Sequence, residues 1–154
     1  MKKIIECGGL PHIVFMLHSN HVVMLNEAIV SLTIMASTFL QGYTEDQLQL
    51  HVAPKQQGQG ENESSVLSDS HTVSSQLHTD AVINGIKNCL KNSDCPKEVK
   101  ANAATLTITL LKTKREEFKQ MLNDMSFVSE CLNQETLQVL PLECKRLYDI
   151  MKES

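Results

Sequence analysis

The sequence predicts an all-α fold of stacked helical repeat units, interrupted by one unstructured insertion. Three observations carry this. Apolar residues recur mostly three and four apart in two separate blocks, the spacing of one face of a helix. The second block reproduces the spacing of the first. The stretch between them, residues 51–78, shows no sustained period.

The first block runs from Ile4 to about Leu50. Gly8-Gly9 makes a turn. Pro11 then opens a helix whose apolar side is Leu10, Ile13, Val14 and Leu17. Proline is tolerated there because its missing N–H would be unpaired in a first turn anyway. His18-Ser19-Asn20-His21 is a polar break. A long helix follows over about Val22 to Phe39, carrying Leu25, Ala28, Leu32, Met35 and Ala36 on one side, and Gly42 is expected to end it.

From Val52 the insertion reads VAPKQQGQGENESSVLSDSHTVSSQLH. It is rich in Gln, Ser, Gly and Asn and lacks aromatics. It cannot bury enough apolar area to offset the entropy of ordering, so 51–78 is expected to be disordered.

The third region is helical again. One helix spans about Asp80 to Lys91, Asn92-Ser93-Asp94-Cys95 breaks it, and Pro96 opens a long helix to about Lys112. Lys114 to Met125 carries a charge run that reads as a solvated face, with Phe118, Met121 and Leu122 turned inward. Shorter helices are expected near Phe127–Leu132 and Glu135–Leu140. Pro141 starts a last helix with Cys144, Leu147, Tyr148 and Met151 on its apolar side. The organisation is thus a repeat unit over 1–50, lacking its first helix, the insertion over 51–78, and a second unit with a helical cap over 79–154.

Composition limits the function classes. The 154 residues are 42% hydrophobic and 4% aromatic, with no Trp, so aliphatic side chains, Ala and Met must form the core. A formal charge of −4 argues against a nucleic-acid binder, which normally presents a basic field. Five cysteines, Cys7, Cys89, Cys95, Cys131 and Cys144, form no CxxC pair, which fits buried thiols in a reducing compartment. No apolar run is long enough to span a bilayer, and Glu6 with Gly8-Gly9 interrupts any signal-peptide core after Met1-Lys2-Lys3. The chain is expected in the cytoplasm.

The two blocks match in detail. Val23-x-x-Asn26-x-Ala28 recurs as Val99-x-x-Asn102-x-Ala104, an offset of 76. Leu10, Ile13 and Leu17 recur as Ile83, Ile86 and Leu90, an offset of 73. A short helix, a polar turn and a longer helix cannot hide their apolar side alone, so neighbouring units must stack. Ala28 and Ala104 are the small residues that admit a close helix crossing.

Residues Ile4 to Leu17, with a Gly turn, Pro11 and a Leu-rich helix, resemble the armadillo signature. Ala28, Ser31, Leu32, Met35 and Ala36 stand at that family's core positions. The resemblance implies an armadillo-type α-solenoid fragment of about two repeats plus C-terminal capping helices. Importin- and catenin-like members line the inner face of the third helix with Trp and Asn. Here the matching positions are Val30 and Ile34, then Leu106 and Leu110, so backbone capture of an extended basic peptide is not expected. Gly8-Gly9-Leu10-Pro11-His12, His21 to Ala28 and the block Cys89 to Lys100 are similar to the C-terminal repeats of the armadillo GDP-dissociation stimulators of Ras- and Rho-type small GTPases. That resemblance implies a scaffold that grips a small GTPase, prenylated ones with polybasic tails included. It would promote guanine-nucleotide exchange by distorting the switch region, without a catalytic group. The insertion departs from the family's pattern.

No enzyme chemistry is expected, and no cofactor or metal. His18 and His21 lie at a turn without the further ligands zinc needs. Gly8-Gly9 is followed by no GK[ST], so it is not a phosphate loop. The candidate partner-binding residues are Glu27, Val30 and Ile34, three and four apart on the first long helix. Their other reading is packing against a neighbouring repeat. A generic armadillo adaptor and a structural terminal cap are the alternative functions.

Overall fold

A computed structural model describes residues 7–49 and 73–153, with side chains up to Thr38 in the first stretch. Every regular element among the described residues is a helix. None of these is long and apolar enough to cross a membrane.

Gly8, in the left-handed region at φ 68, turns the chain into α1 (Leu10–Met16), with Pro11 in its first turn. Leu10 and Leu17 are buried. The polar break works as a Ser turn, with the His21 N–H donating to Ser19 Oγ at 3.1 Å. It leads into α2 (Val22–Gln49). This helix passes through Gly42, where the sequence predicts a stop. An interior glycine costs only about 1 kcal/mol relative to alanine, too little to end a helix without a chain reversal.

The second unit is α3 (Asp80–Lys91) and α4 (Lys97–Leu111). Thr79 caps α3 by accepting from the Val82 N–H. The turn between the helices is held by Asn92, whose Oδ1 accepts from the Asp94 N–H at 2.9 Å. Then come α5 (Arg115–Asp124), α6 (Phe127–Cys131), α7 (Gln134–Leu137) and α8 (Leu142–Lys152). Ser126, left-handed at φ 55, reverses the chain between α5 and α6. Asn133 caps α7, which is shorter than expected. On α5 the charged residues 114–117 are exposed while Phe118 and Leu122 are fully buried, and Met121 is half-buried.

One continuous core joins these helices. Helix α2 lies along α4, α1 packs on α2 and α3, and α3 packs on α4 and α6. Helix α8 covers α4, its Cys144 thiol facing the Lys100 carbonyl at 3.8 Å. Helices α1 and α3 approach most closely at Gly85, where an added Cβ would lie 2.6 Å from Leu17 Cβ. Lys87 donates to the Met125 carbonyl at 2.6 Å and to Glu130 at 3.0 Å, tying α3 to the α5–α6 corner.

The two helix pairs bury matching positions, but in a register the sequence motif does not give. The offset of 73 holds for the short helices, where Leu10 and Leu17 are buried like Ile83 and Leu90. For the long helices the shared core lies at an offset of 75: Ala28 with Ala103, Ile29 with Ala104, Leu32 with Thr107, Met35 with Leu110 and Ala36 with Leu111 are all buried. At the expected offset of 76, Val23 is 73% exposed against a buried Val99, and Ile34 is 45% exposed against a fully buried Leu110. One residue is about 100° of helix rotation, so letters that match at 76 point in different directions. Leu106 and Leu110, expected on an inner face with Val30 and Ile34, are therefore core residues. Ala28 and Ala104 are both buried.

The expected disordered insertion, 51–78, lies outside the described residues as far as residue 72. Its last part is ordered. Residues 73–77 form a helical segment, and Val73 and Leu77 are fully buried. His78 follows, with Nδ1 2.8 Å from the Ser74 carbonyl, Nε2 3.3 Å from the Leu110 carbonyl, and its ring edge-on to Phe118 at 5.0 Å. A helical segment thus precedes α3 from residue 73 onward. Two apolar side chains four apart suffice to seat one helical turn, even among Ser74, Ser75 and Gln76.

Candidate partner-binding face

Helix α2 has one fully used side. Leu25, Ala28, Ile29, Leu32, Met35 and Ala36 are all buried. With that side fixed, residues 23, 27, 30 and 34, four, three and four apart, must run down the other. Val23 and Ile34 are exposed, Glu27 is exposed and Val30 is half-buried. The three predicted residues share one open stripe, about 10 Å long at the helical rise. Val23 extends it and was missed, although the buried set alone places it there. Two other exposed apolar groups were missed as well, Met24 on α2 and Phe15 on α1, the latter 78% exposed.

The stripe continues onto α4. At the seam the Asn102 side-chain amide donates to Asn26 Oδ1 at 2.9 Å. Beyond it Thr105 is exposed and Ala101 and Thr109 are half-buried. The Thr105 and Thr109 hydroxyls donate back to the carbonyls of Ala101 and Thr105, at 3.0 and 2.8 Å. Thr33 does the same to Ile29 at 2.8 Å. With their protons engaged, these hydroxyls offer a visitor only acceptor lone pairs and methyl groups. Glu27 forms no ion pair with any described side chain and stands free for a cation.

No family model, curated protein or solved structure matches the chain.

The face is therefore read from its own geometry: valine and isoleucine side chains around one carboxylate, on a rigid helix backed by a packed core. That arrangement can desolvate an apolar patch on a partner and pair with one basic group. His18 and His21 are both exposed on the α1–α2 turn. Among the described residues no three His, Cys, Asp or Glu side chains come together as a metal site. A cleft of about 600 Å³ is lined by Arg115, Glu116, Glu117, Lys119 and Glu153, with Arg115 3.3 Å from Glu153 and Glu117 paired with Lys114 at its edge. Of the five free cysteines Cys7 is exposed and the other four are buried, so the expectation of buried thiols fails at Cys7. Burial pushes the Cys131 and Cys144 thiols up to about 11, which keeps both protonated at neutral pH.

Proposed function

We propose that this chain is a protein-interaction scaffold of the armadillo-type α-solenoid class. Its partner would be a small GTPase of the Ras or Rho type, whose GDP release it promotes. The observation that carries the binding reading is the open stripe Val23–Glu27–Val30–Ile34. Large aliphatic groups aligned on one exposed helix side form an apolar surface that a partner can cover. The solenoid reading is supported by two helix pairs that bury counterpart positions and share a single core. The GTPase reading is supported by the wording of residues 8–12, 21–28 and 89–100, and by Glu27, which suits a basic element such as a polybasic tail. Buried reduced thiols suit a cytoplasmic location.

The test is a titration of the purified chain against prenylated and unprenylated Ras- and Rho-type GTPases carrying fluorescent GDP. Binding with faster GDP release is the expected result, and Ile34→Glu should weaken binding at least about tenfold with its melting temperature unchanged. Absence of both binding and release across the panel removes the GTPase reading. A second reading, a terminal cap, draws on α8 covering α4. It requires that Glu27→Lys and Ile34→Glu leave every interaction of the protein intact.

A further inference from the structure

Two of the buried cysteines are neighbours. Cys89 sits in the last turn of α3 and Cys95 closes the turn before Pro96, and their Sγ atoms are 3.5 Å apart. An S–S bond is about 2.05 Å long, so the sulfurs need to approach by only about 1.5 Å. Cys89 Sγ also lies 4.0 Å from the Val99 carbonyl, while Cys131 and Cys144 face backbone carbonyls, those of Lys87 and Lys100, and, among the described residues, no second thiol. The pair also borders a cleft of about 270 Å³, between the α1–α2 turn and the α3–α4 turn, with His18, Asn20, Asn88 and Asn92 around it. A small oxidant therefore has a polar route to the two sulfurs.

We infer that Cys89 and Cys95 form a redox-active dithiol that a hydroperoxide converts reversibly to a disulfide. One sulfur, as thiolate, attacks a peroxide oxygen and the O–O bond breaks. A sulfenic acid forms, and the other oxygen leaves as water or alcohol after taking up a proton. The second thiol then displaces the sulfenic hydroxyl, which departs as water, and the S–S bond forms. Two thiols lose two electrons and two protons, and the peroxide is reduced by the same two electrons. The new bond ties the end of α3 to the start of α4 and fixes one wall of the cleft. Burial, and next the neighbouring Cys95, push the Cys89 thiol above its ordinary range, so oxidation is slow at neutral pH and accelerates as pH rises. None of this depends on the identity of the protein partner.

The experiment is exposure of the whole folded chain to graded hydrogen peroxide, followed by alkylation and peptide mapping. The expected product is a Cys89–Cys95 disulfide, with two hydrogens lost per chain, full reversal by dithiothreitol, and Cys131 and Cys144 still thiols. Higher pH should speed its formation. If Cys89 and Cys95 remain thiols while Cys7 is oxidised, or if the cross-link forms only in chain already unfolded by urea, the inference is wrong. These readouts use the unaltered chain. Cys89→Ser should abolish the cross-link, and its persistence as a Cys95 linkage to Cys131 or Cys144 would equally overturn the pairing.

Discussion

Asn102 donates its side-chain amide to Asn26 at 2.9 Å, although the two residues hold the same place in the recurring motif. Counterparts in a stack of translated units point the same way, so they do not normally meet. Here the packing register is 75 and not 76. The packing counterpart of Asn26 is therefore Ala101, and Asn102 lies one residue, about 100°, round from it. The amide bridge thus pins the lateral position of α2 against α4. Asn102→Ala should lower stability by about 1 kcal/mol. A urea-melt double-mutant cycle with Asn26→Ala should return a coupling of about 0.5–1.5 kcal/mol, and a coupling near zero would remove the bridge from the account.

The register makes a sharper prediction. Ile34 and Leu110 are equivalent in the sequence motif, yet one is exposed and the other fully buried. Leu110→Ala should cost about 2–5 kcal/mol, while Ile34→Ala should stay within about 0.5 kcal/mol. Similar losses in chemical denaturation would restore the motif register.

Gly85→Ala sets two effects against each other. Alanine favours the helix by about 1 kcal/mol, but its Cβ would lie 2.6 Å from Leu17 Cβ, which is fixed close to the backbone. Overpacking costs about 1–3 kcal/mol and should win, lowering the melting temperature. Adding Leu17→Ala would not cure the clash, because that Cβ remains. A melting temperature raised by Gly85→Ala would show that the two helices separate freely.

Glu130 accepts from Lys91 at 2.9 Å and from Lys87 at 3.0 Å, and these bonds, Lys91 first, hold its carboxyl below the ordinary range. A depressed carboxylate contributes stability above its unfolded-state value and loses it as pH falls through the folded one. The stability gap between the native chain and Glu130→Gln should therefore be widest at about pH 6 and shrink as pH falls below the ordinary carboxylate range, in urea midpoints taken across that range. A gap independent of pH would exclude the ion pairs as its source.

Helix positions were legible in the sequence because Pro11, Pro96 and Pro141 punctuate long apolar periods at helix starts. The open stripe was legible for the same reason: Leu25, Ala28, Leu32, Met35 and Ala36 fix one side of α2 and leave Glu27, Val30 and Ile34 on the other. Register was not legible. Val-x-x-Asn-x-Ala matches letter for letter, but which side of a helix faces its neighbour depends on how the neighbour rotates to accommodate it. Residues 73–78 were hidden for a different reason. His78 acquires its value only against Leu110 and Phe118, which lie more than thirty residues further on, and Val73 and Leu77 only once the core closes over them. The nearness of Cys89 to Cys95 likewise depends on the turn that folds between them.

The Leu17–Gly85 notch gives the two helix pairs a fixed order. Seventy-three residues before Gly85, the corresponding site on α1 is His12, exposed and carrying a full imidazole where the later helix has bare backbone. A copy of the second pair set ahead of the first would bring Leu90 against that ring and find no room. The two pairs are not interchangeable bricks. Their order is written into one missing methyl group, and reversing it would first require His12 to shrink.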